Sequence, residues 1–175
     1  MLLVHVAAGT GIAIDPTSNA VFVAGFLDSR STVVLYKLSG ADGAQIWHFT
    51  AEGGSGTVGH EVAVDANGDA FFAGQAGGRL DHDLAPEDGH STDGFLIKLR
   101  GTDGTVLWHR QPEGHLGLDR DAHLGADLIR DVAVRADGTV VVVGHLGANA
   151  ELPGHTNAGG CASFVIFVAC LALLR

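Results

Sequence analysis

The sequence predicts an all-β chain assembled from repeated four-stranded antiparallel units, and three observations carry that prediction. The first is a doubled phrase. KLSGADGAQIW (37–47) and KLRGTDGTVLW (98–108) share six identities in eleven positions, and between them they hold every lysine and every tryptophan of the chain. The second is a phrase that occurs three times: GIAIDPTSNAVFVAG (11–25), EVAVDANGDAFFAG (61–74) and DVAVRADGTVVVVG (131–144). Each is an apolar run rich in β-branched residues, then a turn with Asn, Asp or Gly, then a second apolar run ending in Gly, the pattern of a β-hairpin. The third is composition. With 26 Gly in 175 residues and 46% hydrophobic residues, the chain suits short strands and tight turns. Gly in a helix interior costs about 1 kcal/mol relative to Ala.

Taken in order, the first unit reads as strands at 11–15, 19–25, 32–38 and 44–49. The second reads as strands at 61–65, 69–74, 94–99 and 105–109. Asn67-Gly68 and Asp137-Gly138 supply hairpin turn chemistry, and Pro16 with Asn19 supplies it in the first copy. The Gly-x-Asp-Gly between each Lys and Trp joins strands three and four, Gly tolerating positive φ and Asp bonding its own turn. The first two strands of each unit are apolar on both faces, as in Val140 to Val143, so both faces must be covered. Four-stranded units stacked face against face meet that demand in a propeller. The expected architecture is a partial β-propeller of about three four-stranded antiparallel blades, incomplete at both ends, forming one domain over 1–175 with repeats at 11–49, 61–109 and 131–168. The repeats exceed the usual blade of about 40–45 residues, and the excess falls in two polar loops, 77–92 and 111–127.

The ends follow the same phase. Leu3-Val4-His5 aligns with Ile46-Trp47-His48, so residues 1–6 read as the last strand of a preceding blade. Phe164 to Phe167 aligns with Phe95 to Lys98, which makes the apolar stretch 161–174 strand three of the third unit. That stretch also fits a short membrane helix or a frame-shifted end, although a span needs about 20 residues. MLLVHVAAGTG at the N-terminus has no basic segment and too short an apolar run for a signal peptide.

On these residues the sequence resembles the bacterial SBBP-type β-propeller repeat family. The matching positions are Ala13, Asp15, Gly25, Lys37, Gly43 and Trp47, then Ala63, Asp65, Gly74, Lys98, Gly104 and Trp108, then Ala133 and Gly144, with Arg135 in place of the third Asp. The resemblance implies a propeller scaffold of extracellular or cell-surface type with no shared chemistry, since such motifs are structural. A more distant resemblance is to PQQ-type propeller repeats, through Gly43 to Trp47 and Gly104 to Trp108. It implies quinone and calcium on the propeller axis, and the sequence shows no complete site for either.

A net charge of −10 with no basic run opposes nucleic-acid binding, because an acidic surface repels phosphates. Cys161 and Cys170 form neither a disulfide framework nor a zinc spacing. Trp47 and Trp108 recur at one repeat position, which favours packing between neighbouring units over ligand stacking. Lys37 and Lys98 are expected to lie along the sheet with the ammonium in water or against an Asp. Asp15 and Asp65 are expected to bond turn amides, and DANGD (65–69) has a faint likeness to a calcium loop without its downstream Glu.

The densest set of ligand-type side chains is Asp81, His82, Asp83, Glu87, Asp88 and His90, echoed by His115, Asp119, Asp121 and His123. Imidazoles with carboxylates suit zinc or calcium, while no spacing template is met and a solvated acidic loop has the same composition. No Gly-x-Ser-x-Gly elbow and no dinucleotide fingerprint is present. The expectation is a non-catalytic binding or scaffolding module for a protein or glycan, with self-association as a way to complete the propeller. The alternatives are a fragment of a quinoprotein-like or metal-dependent propeller enzyme and a membrane-attached protein.

Overall fold

The computed structural model describes residues 8–27, 29–77, 80, 93–110, 113–114, 128–146, 150–152, 155–156 and 165–171. The described residues are all-β. The first sheet holds β1 (Ala8–Ile14), β2 (Val21–Leu27), β3 (Thr32–Leu38) and β4 (Gln45–Glu52), in that order and antiparallel throughout. The second repeats the plan with β5 (Val58–Val64), β6 (Ala70–Ala76), β7 (Asp93–Leu99) and β8 (Val106–Arg110). After β9 (Glu113–Gly114) come β10 (Leu128–Val134), β11 (Val140–Leu146), β12 (Ala150–Leu152), β13 (His155–Thr156) and β14 (Val165–Leu171). Strands β10, β11 and β14 form the third sheet, and β13, β12 and β9 form a small ribbon.

The three larger sheets pack face against face. Phe22, Leu35 and Trp47 of the first share a core with Val62, Phe72 and Ile97 of the second. The opposite face of the second, through Phe71, Ala73 and Leu96, packs on Ile129, Val132 and Val142 of the third. This explains the strands of the second sheet that lack polar alternation: β6 and β7 lie between the other two sheets and are buried on both faces.

The hairpin turns close as their residues require. Gly68 N–H donates to Asp65 O at 3.0 Å and Gly138 N–H to Arg135 O at 2.9 Å. The first turn is one residue longer, Asn19 N–H reaching Asp15 O at 2.9 Å, with Asn19 in the left-handed region at φ 56°.

Two irregularities recur in register, and neither was expected. The first strands of the three units begin at Ala8, Val58 and Leu128, earlier than the expected 11, 61 and 131. A β-bulge at Thr10, His60 and Arg130 lets the ladder continue past the Gly that ends the second strand. Those glycines, Gly25, Gly74 and Gly144, lie so close to the first strand that a Cβ would overlap the carbonyl oxygens of Ala8, Val58 and Leu128. The second bulge leaves Ile46 and Leu107 unpaired just before each Trp. It accounts for two apolar side chains facing solvent, at 51% and 38% exposure.

Residues 1–6 lie outside the described residues. Of the 161–174 stretch, Val165–Leu171 is described, and it is a strand paired antiparallel with Val140–Leu146. No helix among the described residues is long and apolar enough to cross a membrane.

Candidate functional site

The doubled phrase builds a doubled cluster. Cross-strand register places Phe22 beside Lys37 and Lys37 beside Trp47, and likewise Phe71, Lys98 and Trp108. Period-two alternation puts each trio on one face. In both, Phe and Trp meet edge to face, with centroids 5.7 and 5.8 Å apart. In both, the ammonium lies over the Phe ring, at 5.0 and 4.9 Å. An aromatic pair of this kind adds about 0.5–1.5 kcal/mol beyond its buried area, and a desolvated cation–π contact adds about 2 kcal/mol.

The two ammonium groups then take different partners. Lys37 Nζ donates to Gly101 O at 2.7 Å, and Trp47 Nε1 donates to the same oxygen at 3.0 Å. Gly101 belongs to the second sheet's turn, so Lys37 and Trp47 fasten one sheet to the next. Lys98 Nζ lies 3.0 Å from Asp65 Oδ2 and 3.2 Å from Asp69 Oδ2. Asp69 Oδ1 in turn accepts from Gly101 N–H at 2.9 Å. A continuous polar chain therefore runs Asp65–Lys98–Asp69–Gly101 and ends on Trp47 and Lys37. Both lysines are buried, which corrects the expectation that an ammonium sits in water; for Lys98 the pairing with Asp is as expected.

The DANGD turn (65–69) carries its own cation. Asp65 Oδ1 accepts from Asn67 and Asp69 N–H at 2.9 and 3.0 Å, while the Lys98 ammonium occupies the other side of the two carboxylates. A calcium ion there would have to displace it. Asp15 is the first unit's counterpart. Its Oδ1 accepts from Thr17 N–H at 2.9 Å, and its Oδ2 accepts from the Ser18 hydroxyl. Burial raises its pKa, but the Ser18 hydroxyl, the Thr17 and Ser18 amides and the Lys37 charge together outweigh burial and hold it below the usual carboxylate value.

The bulges set a second row that the sequence reading missed. Thr10, His60 and Arg130 occupy equivalent places on β1, β5 and β10, which lie side by side. Thr10 Oγ1 lies within hydrogen-bond distance of Gly59 O in the next sheet and of Ala24 O in its own. His60 Nε2 lies 3.2 Å from Gln75 Oε1, and Gln75 Nε2 donates to Gly56 O at 3.0 Å. Burial depresses the His60 pKa, the Arg130 charge adds to that, and the Gln75 bond opposes it. No local sequence signal marks these residues, because a bulge is a property of strand pairing.

The ligand-type residues Asp81, His82, Asp83, Asp88 and His90 lie outside the described residues, as do His115, Asp119, Asp121 and His123. Among the described residues no group of three His, Cys, Asp or Glu is placed to hold a metal ion. No protein-family model matches the chain, and no curated protein matches it.

Proposed function

We propose that the chain is a segment of a β-propeller of SBBP type, acting as a non-catalytic binding or scaffolding module for a protein or glycan. One observation supports this reading above others: the recurring charged residues of the core serve to join turns and sheets. Lys37, Lys98, Asp15, Asp65 and Asp69 are each held by partners within the stack. An amine used as a nucleophile or base must reach substrate in its neutral form. Here both amines are buried against a Phe ring and bonded within the stack, so neither is presented to a substrate. Repetition of the trio in two sheets points the same way, since a repeated structural element scaffolds and does not single out one reaction centre. The assignment of ligand presentation to loops 77–92 and 111–127 rests on their sequence and on the tendency of rigid scaffolds to carry function on loops.

The test is a binding survey of the folded chain against glycan and protein arrays, with equilibrium dialysis against calcium, zinc and pyrroloquinoline quinone in parallel. Saturable binding of a glycan or protein, with no uptake of metal or quinone, is the expected result. Stoichiometric uptake of quinone or zinc would replace this reading with an enzymatic one.

A further inference from the structure

We infer that His60 and Arg130, brought together on neighbouring strands, form a binding site for an oxyanion, a sulfate- or phosphate-type group held between the second and third sheets. Strand β5 packs against β1 on one side and β10 on the other. The bulges put Thr10, His60 and Arg130 at equivalent places on these three strands. The first step along the row is a direct contact, since the Thr10 hydroxyl bonds the carbonyl oxygen of Gly59, the residue before His60. The same step from the second sheet to the third sets His60 against Ile129 and Arg130. The electrostatics agree with this placement, because the Arg130 charge is felt at the His60 ring.

The hydrogen bonds around His60 fix which ring nitrogen is available. Gly56 O can only accept, so Gln75 turns its Nε2 to it, at 3.0 Å, and its Oε1 to His60. That oxygen also only accepts, so His60 Nε2 carries the hydrogen across the 3.2 Å contact. Nδ1 is therefore the nitrogen that gains a proton on acidification, and it then becomes a second donor. Arg130 is exposed and has neither hydrogen bond nor ion pair among the described residues. The remaining charges about β5 have other commitments. Strands β1, β2 and β6 carry no titratable side chain. On β3, Lys37 is bonded to Gly101 O and Tyr36 is stacked on His48. On β5 itself, Glu61 Oε1 accepts from Val62 N–H at 3.0 Å and lies against Gly11 of β1, on the side away from β10. On β10, Asp131 Oδ1 accepts from Val132 N–H at 2.8 Å. A guanidinium and an imidazole are thus left with donors to spare. A guanidinium fork matches a sulfate or phosphate group in bidentate fashion. Anion binding and protonation of Nδ1 favour each other by reciprocity, so affinity rises as pH falls.

The experiment titrates the full chain, nitrogen-labelled at histidine, with sodium sulfate at constant ionic strength made up with chloride, and reads the ring nitrogens by NMR above and below the ordinary histidine pKa of about 6.5. Sulfate keeps its charge across that range, so a pH dependence belongs to the protein. The His60 signals, identified by their loss in His60→Gln, are expected to shift saturably with sulfate and not with chloride, and the His60 pKa to rise when sulfate is bound. Arg130→Gln, at an exposed position, leaves the core intact and should weaken sulfate binding about tenfold or more below the histidine pKa. Sulfate binding to His60→Gln, followed by calorimetry, should no longer change with pH; Arg130→Gln alone decides the matter should His60→Gln fail to fold. A glucose sulfate ester in the same titration separates the two sources of the group. Tighter binding than the free ion marks a group carried on a sugar, and equal or weaker binding marks the free ion. No saturable shift below the histidine pKa, an equal shift with chloride, or binding that Arg130→Gln leaves unchanged overturns the site.

Discussion

Trp47 Nε1 donates a hydrogen bond to the carbonyl oxygen of Gly101, 54 positions along the chain and in the adjacent sheet. Gly101 also stands at the end of the polar chain through Asp69 and Lys98. One glycine thus gathers the indole and the Lys37 ammonium on its carbonyl oxygen and Asp69 of the second sheet on its N–H. Bonds of this kind convert a stack of apolar faces, which could slide, into one fixed registry.

Trp47→Ala is expected to cost about 3–5 kcal/mol, the usual loss for a buried large aromatic. Trp47→Phe keeps most of the apolar area, and Lys37 still satisfies Gly101 O, so its cost should be about 1 kcal/mol. Trp108 is only half-buried, and Trp108→Ala should fall below Trp47→Ala. Urea midpoints followed by circular dichroism measure all three. Equal losses for the two alanine variants would refute the assigned difference in packing.

The two lysines should separate in the same way. Lys98→Met strips the cation from Asp65 and Asp69 and leaves two half-buried carboxylates side by side, a loss of about 3 kcal/mol. Lys37→Met removes one of two donors to Gly101 O and should cost about 1–2 kcal/mol. Adding Asp65→Asn to Lys98→Met should recover part of the loss, because it removes one unpaired charge. A Lys98→Met variant as stable as the wild type would show that the lysine acts through its hydrocarbon stem alone.

Gly43 and Gly104 offer a matched pair. They occupy the same place in the two Gly-x-Asp-Gly turns, at φ 73° and 75°. A Cβ at Gly43 would meet nothing within 4 Å, whereas one at Gly104 would lie 2.8 Å from Trp47 Cε3. Gly43→Ala should therefore cost only the left-handed strain, about 1–2 kcal/mol. Gly104→Ala adds displacement of the indole and should cost distinctly more, with a shift in tryptophan emission that Gly43→Ala lacks. Identical stabilities would mean that Trp47 does not rest on the second sheet's turn.

These cases show which parts of the molecule the sequence made legible. The Asp residues of the turns were readable because their bonds are local: Asp42, Asp103 and Asp137 accept from the amides of Ala44, Thr105 and Thr139, two positions on. The strands were readable from apolar runs bounded by turn residues. Their starts were misplaced because the bulges at Thr10, His60 and Arg130 depend on how two strands pair, and no residue type announces that. The role of Gly101 as a shared acceptor was equally hidden, since the contact joins distant segments through a backbone oxygen. The strand-ending Gly residues were visible as a pattern, and their reason emerged only with the overlap a Cβ would make at Ala8, Val58 and Leu128.

His60 gives a pH dependence with a definite sign. Burial depresses its pKa below the unfolded value, with the Arg130 charge adding to the shift and the Gln75 bond opposing it. As pH falls through the unfolded value of about 6.5, the unfolded chain takes up a proton that the folded chain resists. Stability therefore falls on acidification, beginning near the unfolded pKa and levelling off once pH drops below the folded one. His60→Gln keeps a polar side chain toward Gln75 and cannot titrate, so this slope should disappear while stability near pH 8 changes little. The measurement is the urea midpoint of both chains from pH 8 to pH 5. A wild-type midpoint that rises as pH is lowered through this range, with the slope removed by His60→Gln, would place a net negative field at the bulge and reverse the assignment.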